Sequence, residues 1–152
     1  MQQRRHLIIS LTLILLTVGF IWINSALSGS ESGALSERVK AILRAALDFL
    51  NCPENLKTFM LTYVRKLAHV TEYAVIGVEI GFLWAGLKKG FQGLWNAFSM
   101  VLAIAVFDET IQLLALARGP QITDVLLDTV SGVVGILGVY FVWIVVQCVK
   151  DK

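Results

Sequence analysis

Four stretches of this chain are apolar for long enough to cross a bilayer, and the middle two are interrupted by carboxylates. That pattern restricts the fold to a helical membrane bundle with polar groups turned inward, because unpaired backbone and lipid-facing charge are both costly in hydrocarbon. A spanning helix needs about 20 mostly apolar residues, since each residue rises about 1.5 Å and the hydrocarbon layer is about 30 Å thick. Leu7 to Ile23 and Thr129 to Val149 carry no charge, whereas His69 to Leu87 contains Glu72 and Glu79, and Leu94 to Ala117 contains Asp108 and Glu109. The expected fold is all-α: four spans near 7–23, 69–87, 94–117 and 126–149 within a single domain covering residues 1–152. Composition agrees, with 57% hydrophobic and 16% charged residues against about 25% charged in soluble domains. The mean hydropathy is +0.74. A net charge of +2 gives no reason to expect a nucleic-acid partner, and the apolar surplus excludes a disordered tail.

Lys88-Lys89-Gly90 is a short connection that makes the second and third spans an antiparallel hairpin, and Gly119-Pro120 marks a tight turn before the fourth. With an even number of spans both termini share a side, and Lys and Arg in short flanks select the cytoplasmic one. Arg4, Arg5, Lys88, Lys89, Lys150 and Lys152 fall on the same side, which puts both termini in the cytoplasm. The opposing signal is the long connection from Asn24 to Ala68, whose six basic residues are accompanied by four acids. On this topology Cys52 and Cys148 lie on opposite faces and do not pair. A cleaved signal peptide is the alternative for the first span, but signal-peptide cores run about 7–15 residues, so a retained anchor is preferred.

The long connection contains a Gly/Ser linker, Ser28 to Gly33. Beyond it Leu35, Val39, Ile42, Leu43, Ala46, Leu47 and Leu50 recur at helical spacing opposite Glu37, Arg38, Lys40, Arg44 and Asp48. This amphipathic helix either lies in the outer interface or caps the bundle. Asn51-Cys52-Pro53 then breaks the chain, and from Pro53 the series Leu56, Phe59, Met60, Tyr63, Val64, Leu67 runs toward the second span as one continuous helix.

Followed through this topology, three helices deliver ionisable groups to one depth. Arg65, Lys66, His69, Glu72 and Tyr73 lie at the outer end of the second span, Asp108, Glu109 and Gln112 at that of the third, and Asp124 and Asp128 at that of the fourth. Arg118 hangs above them in the last loop. Arg65, His69, Glu72 and Glu79 occupy about 80° of one helical face, at about 100° per residue. A charge facing lipid at mid-depth costs about 2.5–3.5 kcal/mol, so these faces point into the bundle. The plainest interpretation is an ion-pair lock between helices, which is an expensive way to pack a bundle. Glu79 lies deeper and reads as a structural partner or proton-accessible group, and Tyr73 as an interface tyrosine. Gly132, Gly135 and Gly138 with Ser131 form a packing stripe, the four tryptophans are anchors or core, and His6 is expected among the headgroups. No local zinc set, phosphate-binding glycine loop or Ser-His-Asp spacing occurs.

The runs Arg65-Lys66-Leu67-Ala68-His69-Val70-Thr71-Glu72-Tyr73, Phe107-Asp108-Glu109-Thr110-Ile111-Gln112, Arg118-Gly119-Pro120 and Thr123-Asp124-Val125-Leu126-Leu127-Asp128-Thr129 with Gly132 resemble the VanZ-like family. Trp22-Ile23-Asn24-Ser25, followed by Ser36, is similar to that family's exit from its first helix. The resemblance covers about Gly19 to Gly135. It implies a small multi-pass protein of the bacterial inner membrane, in a family whose named member confers low-level resistance to the glycopeptide teicoplanin. The family positions carried over are Arg65, Lys66, His69, Glu72, Tyr73, Asp108, Glu109, Gln112, Arg118, Asp124 and Asp128. Asp128 departs from the pattern, since the family more often has asparagine there, and adds a negative charge.

Two classes of function follow. In the first, an outer-leaflet pocket binds membrane lipid, a lipid-linked cell-wall precursor or a lipoglycopeptide, with Arg65, Lys66 and Arg118 meeting its head group. In the second, an intramembrane enzyme acts on a lipid-linked or phosphate-bearing substrate, with His69, Glu72, Asp108 and Glu109 as the catalytic candidates. Its carboxylates would hold a divalent cation, Mg²⁺ or Ca²⁺, or one would serve as general acid beside His69 as base. A proton pathway through Glu79 is a third class. With no motif that fixes a reaction, binding is placed ahead of catalysis.

Overall fold

The computed structural model describes residues 1–27, 29–87, 90–115 and 122–150. The Lys88-Lys89 connection, Arg118 and the Gly119-Pro120 turn lie outside the described residues. The described chain forms six helices: α1 Gln2–Ser25, α2 Gly29–Phe49, α3 Glu54–Thr62, α4 Val64–Gly86, α5 Gly90–Leu114 and α6 Ile122–Lys150. Four of them, α1, α4, α5 and α6, are long and apolar enough to cross a membrane. Each begins before its expected span, and α1 and α6 also run past it, because helical hydrogen bonding continues from the apolar segment into flanks such as Gln2–Arg5 and Ile122–Asp124; α4 ends at Gly86 and α5 at Leu114, short of the expected residues 87 and 117.

Each span buries one face and leaves another, equally apolar, exposed. On α5 the buried face is Gly93, Ala97, Val101, Ala105, Asp108 and Gln112, a spacing of three and four that follows the 3.6-residue turn. Ile14, Val18 and Ile21 of α1 and Tyr73, Ile76 and Ile80 of α4 complete the core with Ile136, Val139 and Tyr140 of α6. Leu15, Leu16, Phe20, Phe107, Val134 and Phe141 stay exposed, as lipid-facing positions do. The largest interface joins α4 to α6, where Gly77 meets Gly132 and Gly135 meets the Ala74 carbonyl so closely that a Cβ on Gly77 or Gly135 would strike backbone, while one on Gly132 would strike the Val101 side chain. Small residues allow such close approach in membranes, where van der Waals packing drives helix association. Gly138, expected in the same stripe, faces open space instead. Packing claims other expected surface groups too. The His6 ring sits over Gly86 and is half-buried, not solvated. Trp22 packs on Phe107 at 6.1 Å, the Trp84 indole donates to Met100 Sδ at 3.3 Å, and Trp95 alone of the four is largely exposed.

The connection between α1 and α4 departs from expectation twice. The Gly/Ser linker is helical from Gly29 onward, because glycine and serine cost a helix only about 1 kcal/mol or less per residue and an adjoining amphipathic helix can propagate through them. The continuous helix expected from Pro53 is broken at Tyr63, whose φ of −101° and ψ of 16° separate α3 from α4. Ile42, Phe49, Leu50 and Phe59 lie exposed on α2 and α3, an apolar surface that suits an interfacial position better than a bundle cap. At the end of α2, Asn51 adopts φ +51°, with Cys52 N–H donating to the Leu47 carbonyl and Asn51 N–H to that of Asp48, each at 3.0 Å. This left-handed cap satisfies carbonyls that the helix end leaves free.

Lys57 clips the two helices together, its ammonium donating to Asp48 Oδ1 at 2.6 Å and Glu54 Oε1 at 2.9 Å. The hydrogen bond to Asp48, seconded by that to Glu54, raises the Lys57 pKa, and the same bond lowers that of Asp48. The Asp48 contribution is therefore present at neutral pH and lost as pH falls below the usual carboxylate range, about 4, while that of Lys57 is lost as pH rises above about 10.4. Hydrogen exchange at the Leu50 and Cys52 amides, corrected for intrinsic rate, should accelerate below pH 4, and Lys57→Met should bring the same acceleration at neutral pH. Gly77→Ala should destabilise the bundle by about 1–3 kcal/mol through overpacking, seen as a lower melting temperature in detergent. Gly138→Ala should leave melting unchanged or raise it slightly.

Candidate functional site

At the end of the bundle where α1 finishes and α4 begins, four helices bring polar side chains to one level. α4 supplies His69, Glu72 and Tyr73, α5 supplies Asp108 and Gln112, and α6 supplies Asp128 and Thr129. Asn24 and Ser25 arrive from the last turn of α1. The centre of the cluster is His69, with Nδ1 3.5 Å from Asp128 Oδ2 and 4.0 Å from Asp108 Oδ2. Gln112 Nε2 donates to Asp108 Oδ2 at 2.9 Å and to Ser25 Oγ at 3.4 Å, which ties α5 to α1 and fixes the Asp108 carboxylate.

Burial makes this arrangement unusual. Asp108 is 0% and Asp128 2% exposed, although carboxylates are seldom fully buried unless paired. Among the described residues both take their only ion pairs from His69. One imidazolium cannot balance two carboxylates. Of the expected bases within the described residues, Lys66, itself exposed, reaches Asp124 at 3.9 Å, and Arg65 makes no ion pair with a described residue. An ion-pair lock would place these cations against the buried acids, and here they are not. Buried hydrogen-bonding capacity is left over as well, since Asp108 Oδ1, Asp128 Oδ1, the Tyr73 hydroxyl and Thr129 Oγ1 have no hydrogen-bond partner among the described residues. Tyr73, expected at the membrane interface, is wholly buried beneath His69.

Beside the cluster lies a cavity of about 410 Å³ between α1, α2 and the start of α4. Its lining is part apolar, with Phe20, Leu27, Leu35, Val39, Val64 and Ala68, and part polar, with Asn24, Ser25, Ser36, Arg65, His69 and Glu72. His69 belongs to both features: it lines the cavity while its Nδ1 is shielded from solvent and turned to the aspartates. Asp108, Gln112, Asp124 and Asp128 are not in the cavity wall; the first two and Asp128 stand behind His69, and Asp124 stands outside with Lys66. Glu109 is half-buried on α5 and has an interaction of its own. Glu79 is separate from the cluster and accepts a hydrogen bond from Thr17 Oγ1 at 2.9 Å, as a structural partner would.

Two site elements were not singled out as ligands from sequence. Thr129 reads as an ordinary apolar-span residue. Asn24 and Ser25 read as the exit of a helix, and the one signal for them is the polar pair closing an otherwise apolar span. In chemical terms, the carboxylates and imidazole suit a bound cation, His69 Nδ1, Asp108 and Asp128 offering three ligand atoms within 4.8 Å of one another. Equally, a carboxylate-oriented histidine facing a cavity is the arrangement of a general base.

The VanZ/LLP1 family model matches residues 10–144. The matched region takes in most of α1 and α6, and so extends past the Gly19 to Gly135 stretch that carries the motif resemblance. No curated protein and no solved structure matches the chain.

Proposed function

The chain belongs to the VanZ/LLP1 family, a multi-span membrane protein, and on that premise we propose that it binds an amphiphile of the outer leaflet in the cavity beside His69. The observation that carries this reading is the mixed lining of one cavity, in which apolar Phe20, Leu27, Leu35, Val39 and Val64 stand together with ionisable Arg65, His69 and Glu72. A volume of about 410 Å³ falls within the usual range of ligand pockets, about 300–1,000 Å³. Arg65, free of ion pairs with described residues, supplies a guanidinium for a phosphate or carboxylate head group. The exposed apolar surface of α2 supports a position of this end at the membrane interface. Short-flank charge supports cytoplasmic termini, and thus an outer-leaflet site within a bacterial inner membrane. A lipid-linked cell-wall precursor and a lipoglycopeptide such as teicoplanin both have the required chemistry, and protection against the latter is the cell-envelope role that this reading favours.

One observation favours a catalytic reading second: His69 turns Nδ1 toward two carboxylates while its ring lines the cavity. In that reading His69 takes a proton from water or a substrate hydroxyl, and the aspartates stabilise the imidazolium that results.

Native mass spectrometry of the purified full chain should retain an acidic amphiphile from the membrane, and Arg65→Gln should weaken that retention at least about tenfold, the cost of a lost charge-assisted hydrogen bond. A membrane-impermeant thiol reagent should label Cys52 in intact cells and spare Cys148. Retention of no lipid, or protection of Cys52, contradicts the proposal; a chemically altered lipid in the spectrum selects the catalytic reading.

A further inference from the structure

We propose that His69 Nδ1, Asp108 Oδ2 and Asp128 Oδ2 form a three-ligand site for a divalent transition ion of the zinc class. This inference does not rest on amphiphile binding, and it differs from the hard-cation site, Mg²⁺ or Ca²⁺, that a carboxylate cluster alone would suggest.

Geometry is the first support. Zinc held tetrahedrally at about 2.0–2.2 Å puts its ligand atoms about 3.3–3.6 Å apart. The separation of His69 Nδ1 from Asp128 Oδ2 is 3.5 Å and that from Asp108 Oδ2 is 4.0 Å, and ligand atoms of the three residues all lie within 4.8 Å of one another, so the set closes onto the ion by about 1 Å or less. Ligand chemistry is the second. Mg²⁺ requires near-octahedral oxygen at about 2.0–2.1 Å, and Ca²⁺ takes about 6–8 oxygens. A set of one imidazole nitrogen and two carboxylates is poor in oxygen and suits zinc, with a fourth position left for water or ligand.

Charge balance gives the third and most decisive support. Two ionised aspartates and a neutral imidazole carry a charge of about −2, which a divalent ion cancels. Protonating His69 cancels only half of it, and the rest then requires a second proton on an aspartate, since the buried aspartates have no other ion-pair partner among the described residues; one divalent ion replaces both protons. A net charge left in a bundle interior is costly. The independent sign of a missing occupant is the Tyr73 residue, 0% exposed, whose hydroxyl has no hydrogen-bond partner among the described residues. Tyr73 lies one turn beyond His69 on the same face of α4, in range of the charges of Asp108 and Asp128. There it can donate to an aspartate oxygen or to water on the ion, orienting the ligands as outer-shell partners do. Because the three ligands come from three helices, the site leaves no compact sequence motif.

The test uses the full chain in detergent, stripped with chelator and equilibrated with zinc chloride or magnesium chloride, bound metal being measured by mass spectrometry of the elements. The expected result is about one Zn²⁺ per chain and no comparable uptake of Mg²⁺. Asp128→Asn and His69→Ala should each weaken zinc binding by at least about tenfold, while Glu37→Gln on the exposed face of α2 should leave it unchanged. X-ray absorption at the zinc edge of the wild-type chain needs no variant and should give one imidazole nitrogen, two carboxylate oxygens and no sulfur. The proposal is overturned by uptake below about a tenth of an equivalent, by Mg²⁺ preferred over Zn²⁺, by sulfur from Cys52 or Cys148 in the zinc shell, or by a folded Asp128→Asn variant that binds as tightly as wild type.

Discussion

Two aspartates removed from water at one end of an apolar bundle set the terms for everything packed around them. Asp108 and Asp128 sit where dielectric screening is weak, and burying an ionised carboxylate costs several kcal/mol unless its charge and lone pairs are met. Meeting them requires helices to approach closely. The Gly77–Gly132 and Gly135–Ala74 approaches bring α4 against α6, which sets His69 beside Asp128. The small side chains of α5 let Asp108 reach the same point, and Gln112 joins it to Ser25 on α1. The fold supplies much of what two buried carboxylates require and leaves part of the requirement open: negative charge in excess and polar atoms without partners among the described residues.

His69 connects that excess to the cavity. One ring nitrogen faces the carboxylates, and the ring forms part of a wall that also carries Arg65 and Glu72. The imidazole therefore touches both the cavity and the buried pair. Binding of an anionic head group and retention of a cation behind His69 are compatible, since each offsets charge that the other leaves. α2 adds Leu35, Ser36 and Val39 to the cavity lining, and the Lys57 clip holds α2 to α3, which leads through the Tyr63 break into α4.

Much of this was legible before any coordinates. The charge-free runs Leu7 to Ile23 and Thr129 to Val149 announce spans because nothing else in a chain of this kind sustains such a run. The acids at 72, 108 and 128 converge because a hairpin topology puts them at one level and lipid excludes them from the outer face. Failures arose where local signals are weak or misleading. No proline or glycine marks the break at Tyr63. Ser28 to Gly33 has linker composition, yet α2 extends to Gly29. Tyrosine at the end of a span is usually an interface residue, and only packing reveals Tyr73 as wholly enclosed. Likewise the separation of Lys66 and Asp124 from the buried cluster depends on helix rotation and side-chain reach, which a face-by-face count of residues does not resolve.

The central claim is that Asp108 and Asp128 are held in the bundle for what they bind and not for the stability of the bundle. The most direct measurement is the melting temperature of the double variant Asp108→Asn/Asp128→Asn, which leaves His69 without a carboxylate, against wild type, both in detergent with chelator present. Asparagine keeps the size at each position and the acceptor for Gln112 and removes the buried charge, so the account predicts a melting temperature no lower than that of wild type. If the aspartates instead form a structural lock with His69, the double substitution leaves that partner uncompensated at about 3–5 kcal/mol. Melting would then fall by roughly 10 °C, and that result would contradict the account.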